Sequence, residues 1–211
     1  MDKHLYAIVR KRIDITLTAL RKNRFEAHFV PTKAELPAKV SELIPAGASC
    51  SLGGSVTIAE TGIQQMLENG GDFNYLDRYA QGVDREELMR KALTCDVYLT
   101  GTNAITMDGK LYNVDGRGNR VAAICWGPRR VVVICGHNKI VRDLEAARER
   151  NRQFAAPANV VRLGMKTPCA VTGICQDCAC EERICCMEVV TGFQRINERI
   201  CVLIVGEEYG Y

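Results

Sequence analysis

This sequence predicts an α/β fold built on a doubly wound, mainly parallel sheet. Short apolar runs alternate with amphipathic stretches of about ten residues, the pattern of repeated strand–helix–strand units. Val131–Cys135 is apolar throughout, as a strand buried on both faces reads. The 211 residues show no linker and no internal repeat, so residues 1–211 are expected to form a single domain.

Leu5, Ile8, Val9, Ile13, Thr16, Leu17 and Leu20 recur at helical spacing, predicting a helix over 2–23. Phe25–Val30 reads as a strand stopped by Pro31, and Thr32 with Glu35 three residues on as the cap of a helix ending before Pro45. Residues 2–43 are expected to be an N-terminal elaboration. Ala48–Leu52 is a buried strand, Val56–Glu68 a helix, and Phe73–Leu76 a strand. Asp84 caps a helix through Leu93, and Val97–Thr100 is a strand. Asp108-Gly109 between Ile105 and Leu111 signals a hairpin. Val121–Cys125 is apolar, Val141–Arg152 reads as a helix and Val160–Leu163 as extended. Met187–Val190 and Ile200–Val205 are expected as closing strands.

An apolar content of 47% and a charged content of 25% are ordinary for a globular protein. The net charge of +3 is too small to call for nucleic acid, and Arg10-Lys11-Arg12 and Arg129-Arg130 read as solvated faces. No apolar run is long enough for a membrane span. The N-terminal stretch lacks the pattern of a signal peptide, so a cytoplasmic chain is expected. Eleven cysteines in a reducing compartment lean toward metal or redox use.

Three segments can carry chemistry. Ser-Leu-Gly-Gly-Ser-Val-Thr at 51–57 runs from a strand through two glycines into a helix. Such a turn suits a carboxylate or phosphate, with Gly53, Gly54, Ser55 and Thr57 as ligand contacts. The plainer reading is a tight turn with Ser55 as N-cap. It matches neither a Walker loop nor G-x-G-x-x-G, so no nucleotide cofactor is indicated. Residues 101–120 are crowded with groups that orient ligands and follow a buried strand, where open α/β folds bind them. Asn103, Asp108, Asn113, Asp115 and Arg120 are the candidates there, Asp108 also serving simply as a turn former.

The third segment, 167–187, is a cysteine-rich loop with six cysteines between Pro168 and Cys186. Cys169, Cys175, Cys178 and Cys185 supply four thiolates, enough for an iron–sulfur cluster or Zn. The spacing is that of neither a ferredoxin nor a zinc ribbon, and redox thiols or disulfides stay open. Cys50, Cys95, Cys125, Cys135 and Cys201 sit in apolar runs and read as core. Of the histidines, His137 after a strand end is a minor site candidate.

Taken together, Gly-Gly-Ser-Val-Thr, then 101–122, then Gly-Pro-Arg-Arg-Val-Val-Val-Ile-Cys-Gly-His-Asn-Lys, then Ala-Ala-Pro-Ala-Asn-Val-Val-Arg-Leu, then the Thr-Pro-Cys tail resemble the lactate-utilisation (LUD) family over residues 5–205. The tail cysteines Cys169, Cys175, Cys178 and Cys185 match the family pattern, while Cys180 and Cys186 look like extras. The resemblance implies a fold like the sugar-phosphate isomerase and CoA-transferase superfamily. It also implies a role in bacterial oxidation of lactate to pyruvate beside iron–sulfur partner proteins. Residues 101–114 resemble a stretch of methylthioribose-phosphate isomerase and initiation-factor relatives, but Asn103 replaces its acid and Val114 its lysine. An isomerase would then need Asp108, Asp115 or Glu60 as base. No carboxylate nucleophile motif for a CoA-transferase is present.

The leading expectation is a component of lactate or organic-acid utilisation binding a small anionic substrate, carboxylate or phosphate. The alternatives are a phosphosugar isomerase-like enzyme and a non-catalytic, metal-stabilised interaction module. A homo-oligomer is compatible with the sequence, and whether the chain is an enzyme stays open.

Overall fold

The computed structural model describes residues 2–211. Helix α1 (Lys3–Lys22) starts where Asp2 accepts the backbone N–H groups of His4 and Leu5, and buries Ile13, Leu17 and Leu20. Strand β1 (Glu26–Val30) and α2 (Leu36–Glu42) follow. Thr32 does not cap α2; its hydroxyl donates to the Glu35 carboxylate instead. Next come β2 (Ala48–Leu52), α3 (Val56–Glu60), α4 (Ile63–Glu68), β3 (Phe73–Tyr75) and α5 (Arg85–Lys91). The helix expected over 56–68 is broken at Gly62, whose φ is +77°. Asp84 caps α5 as its sequence predicts, accepting from Glu86 and Glu87 N–H groups.

Strand β4 (Val97–Thr100) leads into the hairpin β5 (Ala104–Thr106) and β6 (Leu111–Asp115), then α6 (Asn119–Cys125) and β7 (Arg130–Gly136). After β8 (Ile140–Val141) come α7 (Leu144–Arg150), a π turn at Asn151–Ala155, and α8 (Ala156–Leu163). Helix α9 (Pro168–Thr172), β9 (Met187–Thr191) and β10 (Ile200–Val205) complete the chain.

Six strands in the order β1-β10-β7-β4-β2-β3 form one sheet, every pair parallel. Alternate residues of one strand enter opposite cores. Val131, Val133 and Cys135 pack under α1 with Leu17 and Leu20, whereas Val132 and Ile134 pack with Val40, Ile58 and Ile63 of the helices on the other face. A strand buried on both faces needs apolar side chains at every position, hence the unbroken run. A smaller sheet, β8-β5-β6-β9, carries the expected hairpin and takes in Met187–Thr191.

The N-terminal helical elaboration is present as α1, which packs beside β1 at the edge of the main sheet. Two other expectations need correction. Val160–Leu163 is helical: Ala147, Asn151, Ala155 and Val160 bury one face of a continuous α7–α8 rod, while Val161 is exposed. That buried stripe is small or polar, so β-branched Val160-Val161 dominated the local signal. Cys125 is exposed at the end of α6, unlike Cys50, Cys95, Cys135 and Cys201, which are buried with thiols pushed up to about 12 by desolvation. Among the described residues no helix is long and apolar enough to cross a membrane.

Candidate functional site

The chain leaves β2 toward β3 on one side and leaves β4 toward β7 on the other, so the winding reverses between β2 and β4. Loops from the carboxyl ends of two such strands diverge and leave a crevice. Here a cavity of about 830 Å³ opens, lined by Gly54 and Ser55 after β2, Gly101 to Asn103 after β4, and Lys139 after β7. Gly101 is required by close approach: a Cβ there would lie 2.5 Å from the Ser55 hydroxyl.

Arg120 organises the floor. Its Nε donates to Asp115 at 2.8 Å, Nη1 to Asn113 Oδ1 at 2.8 Å and Gly101 O at 3.1 Å, and Nη2 to Asn103 Oδ1 at 2.8 Å and Val114 O at 2.9 Å. All five donors of the guanidinium are thereby engaged. Asp115 also accepts the Val121 N–H. Arg120, Asn103 and Asp115 border the cavity, yet their polar atoms hold one another. Asn113 is fully buried with its Nδ2 unpartnered. Sequence reasoning found this group; the structure makes it a scaffold rather than a set of free ligand donors.

The other expected contacts divide. Gly53 gives its N–H to Leu99 O, and Ser55 caps α3, accepting the Ile58 N–H. Thr57 is buried, its hydroxyl donating to Tyr209 O at 3.3 Å. Asp108 lies away from the cavity at the hairpin tip, paired with Lys110 at 2.6 Å and bonded to Thr106, the turn-former role. His137 is buried, its Nε2 unpartnered and its pKa lowered chiefly by burial, and it does not line the cavity.

Lys139 was missed. It is 4% exposed, lines the cavity, and donates from Nζ to Thr57 Oγ1 at 2.9 Å. Burial pushes its pKa down to about 8; Cys135 pulls it up, Arg150 and Arg120 push it further down, and Glu60 is the weakest influence. The Glu60 carboxylate instead accepts the Gly210 N–H. In sequence, only His137 of the His-Asn-Lys stretch reads as a candidate. Arg78 was missed too: it overlies Gly54, with Nη2 3.0 Å from the site of a Cβ, and its buried Nε has no partner. Six cationic side chains line the cavity against three acidic ones.

The cysteine-rich segment walls the same cavity through Ile184 and Cys185. Arg183 holds the loop, bonding Asp177, Cys178 O and Cys185 O. Cys169 is buried and Cys175, Cys178 and Cys185 half-buried. Burial, then neighbouring Cys175 and Cys169, push the Cys185 thiol up to about 11, whereas Cys178 pairs with Cys180, Sγ to Sγ 3.4 Å. Among the described residues only Glu26, His28 and Cys201 bring three potential ligand atoms within 4.8 Å of one another. The Arg130 guanidinium, ion-paired with Glu26, already supplies the positive charge there.

No curated protein matches the chain. A DUF162 family protein from Deinococcus radiodurans, known from a crystal structure, superposes with a TM-score of 0.51 over 95% of this chain and 97% of that one, at 16% identity. That likeness shows the fold. Subunits eIF2B delta and eIF2B beta from Chaetomium thermophilum resemble parts of the chain. The delta subunit does so at 19% identity over 52% of this chain and 48% of its own, TM-score 0.34. The beta subunit does so at 13% over 53% and 43%, TM-score 0.37. The LUD domain family matches residues 13–205, and the chain accordingly belongs to that family, which is tied in general to lactate utilisation.

Proposed function

We propose that the chain serves lactate or organic-acid utilisation, the oxidation of lactate to pyruvate beside iron–sulfur partners, by holding a small carboxylate in this cavity. The observation that carries the reading is Lys139: a buried cation on the cavity wall with a hydroxyl, not a carboxylate, as its side-chain partner. An ammonium left so lacks charge compensation, which an anion supplies. Arg78, which lines the same cavity, is the second cationic contact. A phosphosugar isomerase reading is disfavoured, because Asp115 is tied to Arg120 and Val121, Asp108 lies elsewhere and Glu60 is tied to Gly210.

Oxalate, which has no reactive ketone, tests the binding by calorimetry. Lys139→Met is expected to weaken it by about tenfold to a hundredfold, the worth of a charge-assisted hydrogen bond of about 1.5–3 kcal/mol. Equal affinity in the two proteins would remove Lys139 from the site.

The cysteine wall supports a cofactor as part of the same reading. Cys169, Cys175, Cys178 and Cys185 offer four thiolates, the donor set of an iron–sulfur cluster, the group that would serve oxidation chemistry. Cys169, Cys175 and Cys185 would hold it, with Cys178 or Cys180 completing the set. When bound, it would supply one-electron transfer beside the ligand. Iron and acid-labile sulfide are expected in anaerobically purified protein, and lost in Cys185→Ser. Stoichiometric colourless zinc would make the loop a structural clip, the interaction-module reading.

A further inference from the structure

We propose that Lys139 Nζ is a nucleophile that forms an imine with the carbonyl carbon of a small 2-oxo carboxylate. The inference rests on the anion reading above and adds a reaction to it. Three observations converge. Lys139 lines a cavity at the switch point of the sheet, where a ligand of a few carbon atoms has room. Lys139 is nearly fully buried, and its side-chain hydrogen bond goes to the neutral Thr57 hydroxyl, which also donates to Tyr209 O. Arg78 lines the same cavity, a second cation suited to the carboxylate of the incoming acid.

Burial shifts the amine toward its neutral form. Arg150 and Arg120 from the helices repel its charge, and Cys135 on β7 and Glu60 on α3 oppose them. With a pKa of about 8, about a tenth of the amine is neutral at pH 7, far more than for an exposed lysine. Desolvation beside other cations is how an amine nucleophile is made reactive near neutrality.

The step balances without an oxidant or reductant. The amine lone pair attacks the carbonyl carbon; a C–N bond forms and the carbonyl π pair moves to oxygen. A proton passes from nitrogen to that oxygen, giving the carbinolamine. Loss of water breaks the C–O bond and leaves the imine. Its protonated nitrogen draws electron density from the neighbouring carbon, whose C–H proton becomes exchangeable.

Pyruvate and sodium borohydride, added together to the full chain, test this. The expected result is one reduced pyruvyl adduct per chain, found on the tryptic peptide Val131–Arg142 with cleavage after Lys139 suppressed. Lys139→Arg is expected to lose the adduct, because a guanidinium is no amine nucleophile at this pH. Wild-type protein that binds oxalate but gains no adduct, or adducts spread over surface lysines equally in Lys139→Arg, would overturn the imine and leave the anion site standing. Protein that binds neither compound would overturn both.

Discussion

Replacing Arg120 with alanine is expected to lower the unfolding free energy by about 3–5 kcal/mol, the usual result of breaking a buried ion pair from one side. The side chains of Arg120 and Asp115 are only 13% and 7% exposed. Without the guanidinium, Asp115 becomes an uncompensated carboxylate, and the acceptors Asn103 Oδ1, Asn113 Oδ1, Gly101 O and Val114 O each lose a donor. Water from the adjoining cavity offsets part of the loss, so the lower end of the range is expected. Chemical denaturation checks it, as does a fall in Tm of about 2–4 °C for each kcal/mol in a chain of this size. Arg120→Lys is expected to recover little, because an ammonium cannot reproduce the five-donor fork. A variant as stable as wild type would mean that the floor is not held by this hub.

Gly109→Ala is the second large effect, about 2–5 kcal/mol. Gly109 has a φ of +83°, which costs a residue with a Cβ about 1–2 kcal/mol. Its Cβ would also lie 2.6 Å from Ala19 C and 2.7 Å from Leu20 N, backbone atoms of α1 that cannot swing aside. Such overpacking adds about 1–3 kcal/mol. The Asn23 side chain, which donates to Asp108 O and Gly109 O, would be displaced with the tip. Denaturation midpoints of Gly109→Ala and of the neighbouring Asp108→Ala separate the two roles at this turn. The glycine change is expected to be severe and the aspartate change mild, since Asp108 is exposed and its pair with Lys110 is worth little.

These two sites show what the residues disclosed in advance and what they did not. Asp108-Gly109 was readable as a hairpin, because turn chemistry is local; its contact with α1 joins residues far apart in sequence and was not. The crowding of Asn103, Asn113, Asp115 and Arg120 was readable as a polar site. Which of those groups face a ligand and which face each other depends on counting donors against acceptors in space. Parallel strands such as Val131–Cys135 were legible from uniform apolarity, whereas Val160–Leu163 misled because its helix buries Ala147 and Asn151 rather than large apolar groups. Lys139 carried no local signal at all. Its burial arises from Thr57, Tyr209 and Gly210 closing around it from distant parts of the chain. The same distance hid the meeting of the cavity with the cysteine loop, whose Cys185 shares a wall with Lys139.

If the Lys139 ammonium holds the anion, oxalate affinity follows the charge of that amine as pH changes. An anion needs the protonated amine, and the folded pKa lies near 8 rather than at the ordinary 10.5. Affinity is therefore expected to stay level below pH 8 and to fall as pH rises through that value, with no such fall in Lys139→Met. Affinity that stays flat until the ordinary lysine range, or falls equally in the variant, would mean that the Lys139 ammonium does not hold the anion.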